Sequence, residues 1–259
     1  MKTFKNKIAL NLDRDAQVSV KGFIAPIEYT QYNFHVKWDE LANLQVAEPE
    51  KQYPTSIFQA FLPPESVSVG ECWEIREEGA LELLKQLHPN PSLDLHINNG
   101  DSYGLWACLR AYNDKFAEIL FRIHAEFVLE NGWFTPSQFA GHLTIDRFQE
   151  KVVSFKMRVP ETTLNFDAGW KAPAHPGGAA EIGFCPRVEL YTETSSVPQD
   201  TTFTASVTHE AARHALILRF YKAQQINWVS LEDALEMAQA QQKPIHAISI
   251  DGPLADESC

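Results

Sequence analysis

Positive charge is scarce in this chain. Lys and Arg total 22 against 34 Asp and Glu, a formal net charge of −12 over 259 residues, and no basic run relieves it. Nucleic acid and anionic membrane are therefore not expected as partners. Long apolar runs are also missing: the opening "MKTFKNKIALNLDRD" has no extended apolar stretch or small-residue cleavage site, and no later stretch approaches the roughly 18 apolar residues of a membrane span. These absences predict a soluble, cytoplasmic protein. Cysteine is sparse, with four residues and no C-x-x-C pair, which argues against a disulfide framework or a zinc knuckle. Cys72, Cys108 and Cys185 are expected to be buried reduced thiols, and only Cys259 looks placed for chemistry. There is no Gly-rich phosphate loop and no nucleophile-elbow motif, so kinase, NTPase and hydrolase readings have no support.

What is present is enough apolar material, 44% of residues, for a sizeable core. Apolar alternation at Ile8, Leu10 and Leu12, and again at Val18 and Val20, suits short strands. After "FLPPESVSVGE", the spacing of Ala80, Leu81, Leu84 and Leu87 predicts a helix over about 77–87, stopped by "HPNPS". The period then changes to two. In "EILFRIHAEFVLENGWF", Ile119, Phe121, Ile123, Ala125 and Phe127 fall on one face, and Arg122, His124 and Glu126 on the other. "GHLTIDRF", "VSFKMRVP" and "EIGFCPRVELYTE" supply further strands, for which an antiparallel sheet with one wet face is the simplest arrangement. Helices return in "THEAARHALILRFYKA" and "VSLEDALEMAQAQQK", the second with Ser230 as N-cap, Asp233 at capping-box spacing and Pro244 as its stop.

Two metal-like motifs fail on spacing. In "HEAARH" the second histidine follows the first by five positions, and the slot that would share its face holds Arg213. "DRD" at Asp13–Asp15 is followed by Gln17 and Val18, without the ligand oxygens or glycine of a calcium loop. In the trio Arg122, His124 and Glu126 a histidine between opposite charges can titrate near neutrality; the alternative is a cross-strand ion pair or a hydrogen-bonded sheet surface. "WFTPSQFAGH" concentrates aromatic side chains that serve a core more often than a binding site.

The chain closes on "PIHAISIDGPLADESC", an apolar run Ile245–Ile250, a turn around Asp251-Gly252-Pro253, and a cysteine. Helix, strand and cysteine loop in that order open a thioredoxin-like unit, in which a following helix N-terminus favours thiolate over thiol. At "FRIHAEF", "WFTPSQFAGHL", "FKMRVP", "LNFDAGW", "EIGFCPRVEL" and "KPIHAISIDGPLADESC" the sequence resembles selenoprotein N, over roughly residues 85 to 259. The resemblance implies that Ser-Cys is followed by selenocysteine and glycine within a thioredoxin-like domain. An ordinary reading takes the selenocysteine codon UGA as stop, so Ser258-Cys259 is expected to be where such a reading halts.

By that resemblance the protein is a thiol/selenol oxidoreductase acting on a client-protein disulfide or a peroxide. Cys259 carries over as the thiol of the redox pair and Ser258 as its neighbour. Asp256 and Glu257 flank them as proton shuttles or solvated loop charges. No cofactor is expected beyond the selenocysteine of a full-length product, and residues 1–259 alone are expected to be close to inactive. Animal members resemble calcium-responsive membrane proteins of the endoplasmic reticulum; without a span, a usable EF-hand or an N-x-Ser/Thr acceptor free of proline, this chain fits a bacterial-type cytosolic relative better. The fold expectation is α+β: an N-terminal strand-containing extension over 1–65, an α+β core with an antiparallel sheet over 66–205, and an incomplete thioredoxin-like unit over 206–259. A sheet edge left open at Ile245–Ile250 would suit a homodimer. A protein-binding module with structural thiols is the alternative, with Trp133, Phe134, Phe139 and Trp170 as anchors if they prove exposed.

Overall fold

The computed structural model describes residues 7–13, 15–95, 104–161, 163–171, 178–193, 201–220 and 228–247. In chain order its elements begin β1 (Gln17–Ile24), β2 (Tyr29–Thr30), α1 (Phe34–Lys37), α2 (Asp39–Ala42), β3 (Glu50–Pro54), α3 (Ser56–Gln59), β4 (Cys72–Glu74), α4 (Glu77–Leu87) and β5 (Pro91–Ser92). Strands then dominate: β6 (Leu105–Tyr112), β7 (Phe116–Ile123), β8 (Glu126–Leu129), β9 (Gly132–Pro136), β10 (Phe139–Asp146) and β11 (Lys151–Arg158). They continue as β12 (Phe166–Trp170), β13 (Ala179–Phe184), β14 (Val188–Tyr191) and β15 (Ala205–Ser206), before α5 (His209–Phe220) and α6 (Leu231–Gln241).

The described strands form two sheets, antiparallel at every pairing. One runs β15-β6-β7-β10-β11-β14-β1-β3, with β4 also on β6, and the other β2-β13-β12-β9-β8-β5. The α+β class is therefore as the periodicity predicts. One expected strand is divided, however. The run 119–127 breaks after Ile123, and β7 and β8 lie in different sheets. Its partner breaks at the same level, because Ile123 pairs with Phe139 in one sheet while Phe127 pairs with Phe134 in the other. A single two-stranded ribbon thus bends at His124-Ala125 and Ser137-Gln138 and passes from sheet to sheet. "EIGFCPRVEL" does likewise, β13 lying in the smaller sheet and β14 in the larger.

The bend explains why the alternation misjudges the wet face. Ile119, Phe121, Ile123, Ala125 and Phe127 are buried as expected, but Arg122, His124 and Glu126 are buried too, at 3%, 7% and 7% exposure. A wet face persists farther along the sheet, where Arg158 of β11 is exposed and Ser154 and Lys156 half-exposed.

The inner face of the larger sheet packs on aromatic side chains. Phe155 stacks on Phe121 at 5.6 Å and meets Phe58 and Phe61 edge-on at 5.2 and 5.9 Å. Helix α4 forms over the residues its spacing predicts, with Ala80, Leu83, Leu84 and Leu87 fully buried, so Leu83 rather than Leu81 takes the inner slot. It ends at extended His88 because Pro89 follows, and the residue before a proline disfavours the helical region. Near the N-terminus, Ile8 makes an isolated bridge with Val67, while Leu10 and Leu12 join the core without forming a strand.

In α6 the cap is as expected: Ser230 Oγ accepts from the Asp233 N–H at 3.1 Å. The helix ends earlier than Pro244, at left-handed Gln242 with φ 53°. Among the described residues Ile245, His246 and Ala247 join no strand, and the rest of the expected strand, residues 248–250, lies outside them.

Candidate functional site

The four residues singled out at the C-terminus, Asp256, Glu257, Ser258 and Cys259, lie outside the described residues. The chemistry the structure does show falls in three places.

The first is the bend of the ribbon. Arg122 Nε donates to Gln138 Oε1, and Thr135 Oγ1 donates to Glu126 Oε2 at 3.1 Å. The polar face of the alternating run thus meets its complement on the returning strand. Nearby, Asn165 closes a second polar node. Its side-chain N–H donates to the Cys185 carbonyl at 2.7 Å, and the Cys185 N–H donates back to Asn165 Oδ1 at 2.9 Å. An amide side chain here stands in for a strand neighbour, satisfying backbone groups where β13 ends. Such groups are costly to bury unpaired, so these contacts fix the bend rather than leave a reactive site.

The second is the outer face of the larger sheet. Arg110 pairs with Glu118 at 2.6 Å, and His209 of α5 approaches the same carboxylate at 3.4 Å. His142, bonded to Ser154 Oγ at 3.3 Å, has its pKa lowered chiefly by burial.

The third is the set of internal thiols. Cys185 and Cys108 are buried as expected, at 1% and 0% exposure. The Cys185 Sγ–H donates to the Ala25 carbonyl at 3.4 Å, and burial pushes its pKa up to about 11, so it stays an inert thiol. Cys72 departs from expectation, being partly exposed and directly opposite Cys108 across the β4–β6 pair. Composition could not reveal this, since the two lie 36 positions apart and only the strand pairing brings them together.

The expected docking anchors fare poorly. Phe134 and Phe139 are fully buried, and Trp133 and Trp170 are half-buried, Trp170 stacking on Trp38 at 5.7 Å. These aromatics belong to the core and its rim. Helix α6 is different: Leu231, Leu235 and Met237 are 61%, 55% and 44% exposed, and none of its residues is buried.

The strand order, the bend and the terminal "DESC" string belong to a chain with clear relatives. It is 27% identical to human selenoprotein N over 270 residues, which covers 82% of this chain and 45% of that protein. Against selenoprotein N of Danio rerio the identity is 29% over 262 residues, covering 79% and 46%, and against that of Mus musculus it is 26% over 270 residues, covering 82% and 48%. These three similarities support a selenoprotein N-like family for the chain. It spans less than half the length of the curated relatives it matches. No family model matches it, and no solved structure does. No described helix is long and apolar enough to cross a membrane.

Proposed function

We propose that this chain is the scaffold of a thiol/selenol oxidoreductase, with Cys259 as the thiol partner of a selenocysteine in a Ser-Cys-selenocysteine-Gly loop. The observation that carries the reading is the similarity to selenoprotein N over about four fifths of the chain, together with Ser258-Cys259 beyond the helix and apolar run of a thioredoxin-like beginning. The open apolar face of α6 supports it as well. A helix with an exposed apolar stripe is normally covered by further structure, as the first helix of a thioredoxin-like unit is by its sheet.

The selenol supplies a nucleophile that is ionised at neutral pH. The Cys259 thiol resolves the mixed intermediate by attack of its thiolate, releasing the reduced substrate as the couple closes; two electrons pass from the couple to the disulfide or peroxide. Ser258 is the upstream neighbour of that thiol, and Asp256 and Glu257, which flank the pair in sequence, shuttle its proton. Client disulfides in the cytoplasm, or peroxides, are the substrates, and a homodimer is the assembled form. Burial of Phe134 and Phe139 removes two of the four anchors on which a docking module would depend, so the redox reading is preferred.

The test is expression from the natural coding sequence carried past the codon for Cys259, with cysteine in place of the next residue and Cys259→Ser as the trapping variant. Accumulation of mixed disulfides with client proteins or small disulfides supports the reading. Equal yields with and without the trapping substitution would overturn it.

A further inference from the structure

Strand β4 is only three residues long, yet it places Cys72 opposite Cys108 of β6. The hydrogen bonds of the ladder define the geometry of that pair. Leu109 N–H donates to the Glu71 carbonyl at 3.2 Å and Ile75 N–H to the Leu105 carbonyl at 3.0 Å, so Glu71/Leu109 and Ile75/Leu105 are the bonded positions. Antiparallel ladders alternate, which makes Cys72/Cys108 a non-hydrogen-bonded pair, with Cα atoms about 4.5 Å apart and side chains on one face. That separation falls within the roughly 4.4–6.8 Å that a disulfide spans, at its short end.

The surroundings differ for the two sulfurs. Cys108 is fully buried beneath Ala212 and Leu216 of α5, beside Leu120 and Trp106. Cys72 is partly exposed at the rim of that cluster. Arg219, in the last turn of α5, lies with its guanidinium 5.0 Å from the Trp106 ring centroid, and its charge favours the Cys72 thiolate. Glu74 shares the face of Cys72, and farther along the outer face lie Arg110 and Glu118, which are paired with each other, His209, which approaches Glu118, and His142, opposite Leu120. Arg219 thus adds positive charge at the outer sulfur while the inner one sits in hydrocarbon.

We propose that Cys72 and Cys108 form a second redox site, a dithiol that closes reversibly to a disulfide by exchange with a low-molecular-weight disulfide, Cys72 attacking and Cys108 resolving. The Cys72 thiolate attacks one sulfur of the small disulfide, breaking its S–S bond and releasing one thiolate, which takes a proton from water. Cys108 loses its proton, attacks the Cys72 sulfur and expels the second thiolate. One Cys72–Cys108 bond and two small thiols result, and two electrons move from the protein to the small disulfide.

The division of roles follows from position: Cys72 lies at the open rim and Cys108 is covered by α5. The facing Cys108 thiol, and then Arg219, lower the Cys72 pKa, while the facing Cys72 thiol and burial raise that of Cys108. The cover of α5 over Cys108 leaves room only at the rim, which favours a small disulfide over a protein one. Cys185, whose sulfur faces the Ala25 and Arg187 carbonyls and no other sulfur among the described residues, is the built-in control.

The experiment uses the 259-residue chain carrying Cys259→Ser, so that the terminal thiol cannot take part. The reduced protein is equilibrated in buffers of reduced and oxidised glutathione, quenched with acid, alkylated and peptide-mapped. The expected product is a Cys72–Cys108 cross-linked peptide, with two glutathiones released per chain and Cys185 alkylated only after denaturation. With Cys108→Ser the reaction should stop at a Cys72–glutathione mixed disulfide. Arg219→Gln should slow alkylation of Cys72 by about three- to tenfold at pH 7 and move its pH profile upward, because the thiolate loses a neighbouring cation. Cys72 and Cys108 remaining free thiols in fully oxidised glutathione, or a mixed disulfide persisting when both cysteines are present, would overturn the proposal. Both outcomes are read on the chain that keeps Cys72, Cys108 and Arg219.

Discussion

Removing the side chain of Asn165 gives a direct measure of what holds the sheet-to-sheet bend. The residue is 2% exposed, and its amide makes two bonds to Cys185, itself 1% exposed, at 2.7 and 2.9 Å. Asn165→Ala leaves a buried N–H and a buried C=O without those partners, at roughly 1–3 kcal/mol each, so the expected loss is about 2–4 kcal/mol once a water enters the vacated space. At a slope of about 3 kcal/mol per molar urea, the unfolding midpoint followed by tryptophan fluorescence drops by about 1 M.

Asn165→Asp separates donor from acceptor. Its carboxylate still accepts from the Cys185 N–H but turns a second oxygen on the Cys185 carbonyl, so the buried acid is held protonated and its folded pKa is raised. A raised folded pKa contributes stability that is present below the unfolded value of about 3.9 and is lost as pH rises through the folded one. The deficit of Asn165→Asp relative to the parent should therefore be large at pH 7 and shrink on acidification. A loss below about 0.5 kcal/mol for Asn165→Ala, the size of an ordinary surface change, or a deficit of Asn165→Asp that does not vary with pH, would refute the reasoning.

Phe155→Ala should cost about 3–5 kcal/mol, since it removes the ring that meets Phe58, Phe61 and Phe121, whereas Phe148→Ala, at a site 88% exposed, should stay within about 0.5 kcal/mol; paired urea curves check both. Gly169→Ala would put a Cβ 2.0 Å from the Trp133 ring, so that ring must move, at a cost of about 1–3 kcal/mol and with a change in tryptophan emission. Burial lowers the pKa of His142, and of His88, from the ordinary 6.5, so the unfolded chain binds protons there that the folded chain does not. Stability should fall as pH drops below about 6.5, and His142→Gln should flatten that acid limb when urea midpoints at pH 7.5 and 5.5 are compared.

Much of the secondary structure was legible because it rests on local signals. Helix α4 follows from four apolar positions and a proline after His88, and the start of α6 from Ser230 and Asp233. The alternation in 119–127 correctly sorted the apolar side chains but not the fate of the polar ones. Whether Arg122 and Glu126 meet water or Gln138 and Thr135 depends on a bend shared with a strand that returns later in the chain. Periodicity reports one strand at a time and carries no record of such a partner. Cys72 and Cys108 were illegible as a pair for the same reason, because a three-residue strand gives almost no periodic signal and its register is set by pairing alone. The proposed terminal redox pair rests on resemblance, in "DESC" and the strings before it, and its residues lie outside the described ones.

Cys259 as one half of a redox couple is the proposal from which the rest of the function follows. The direct measurement is mass spectrometry of the protein expressed from the natural coding sequence past that codon, isolated without reductant and digested under acid. The account predicts a C-terminal peptide in which the Cys259 sulfur is bonded to selenium of the next residue and separates on reduction. A next residue other than selenocysteine or a replacing cysteine, or a Cys259 recovered as a free thiol after exposure to oxidised glutathione, would contradict it.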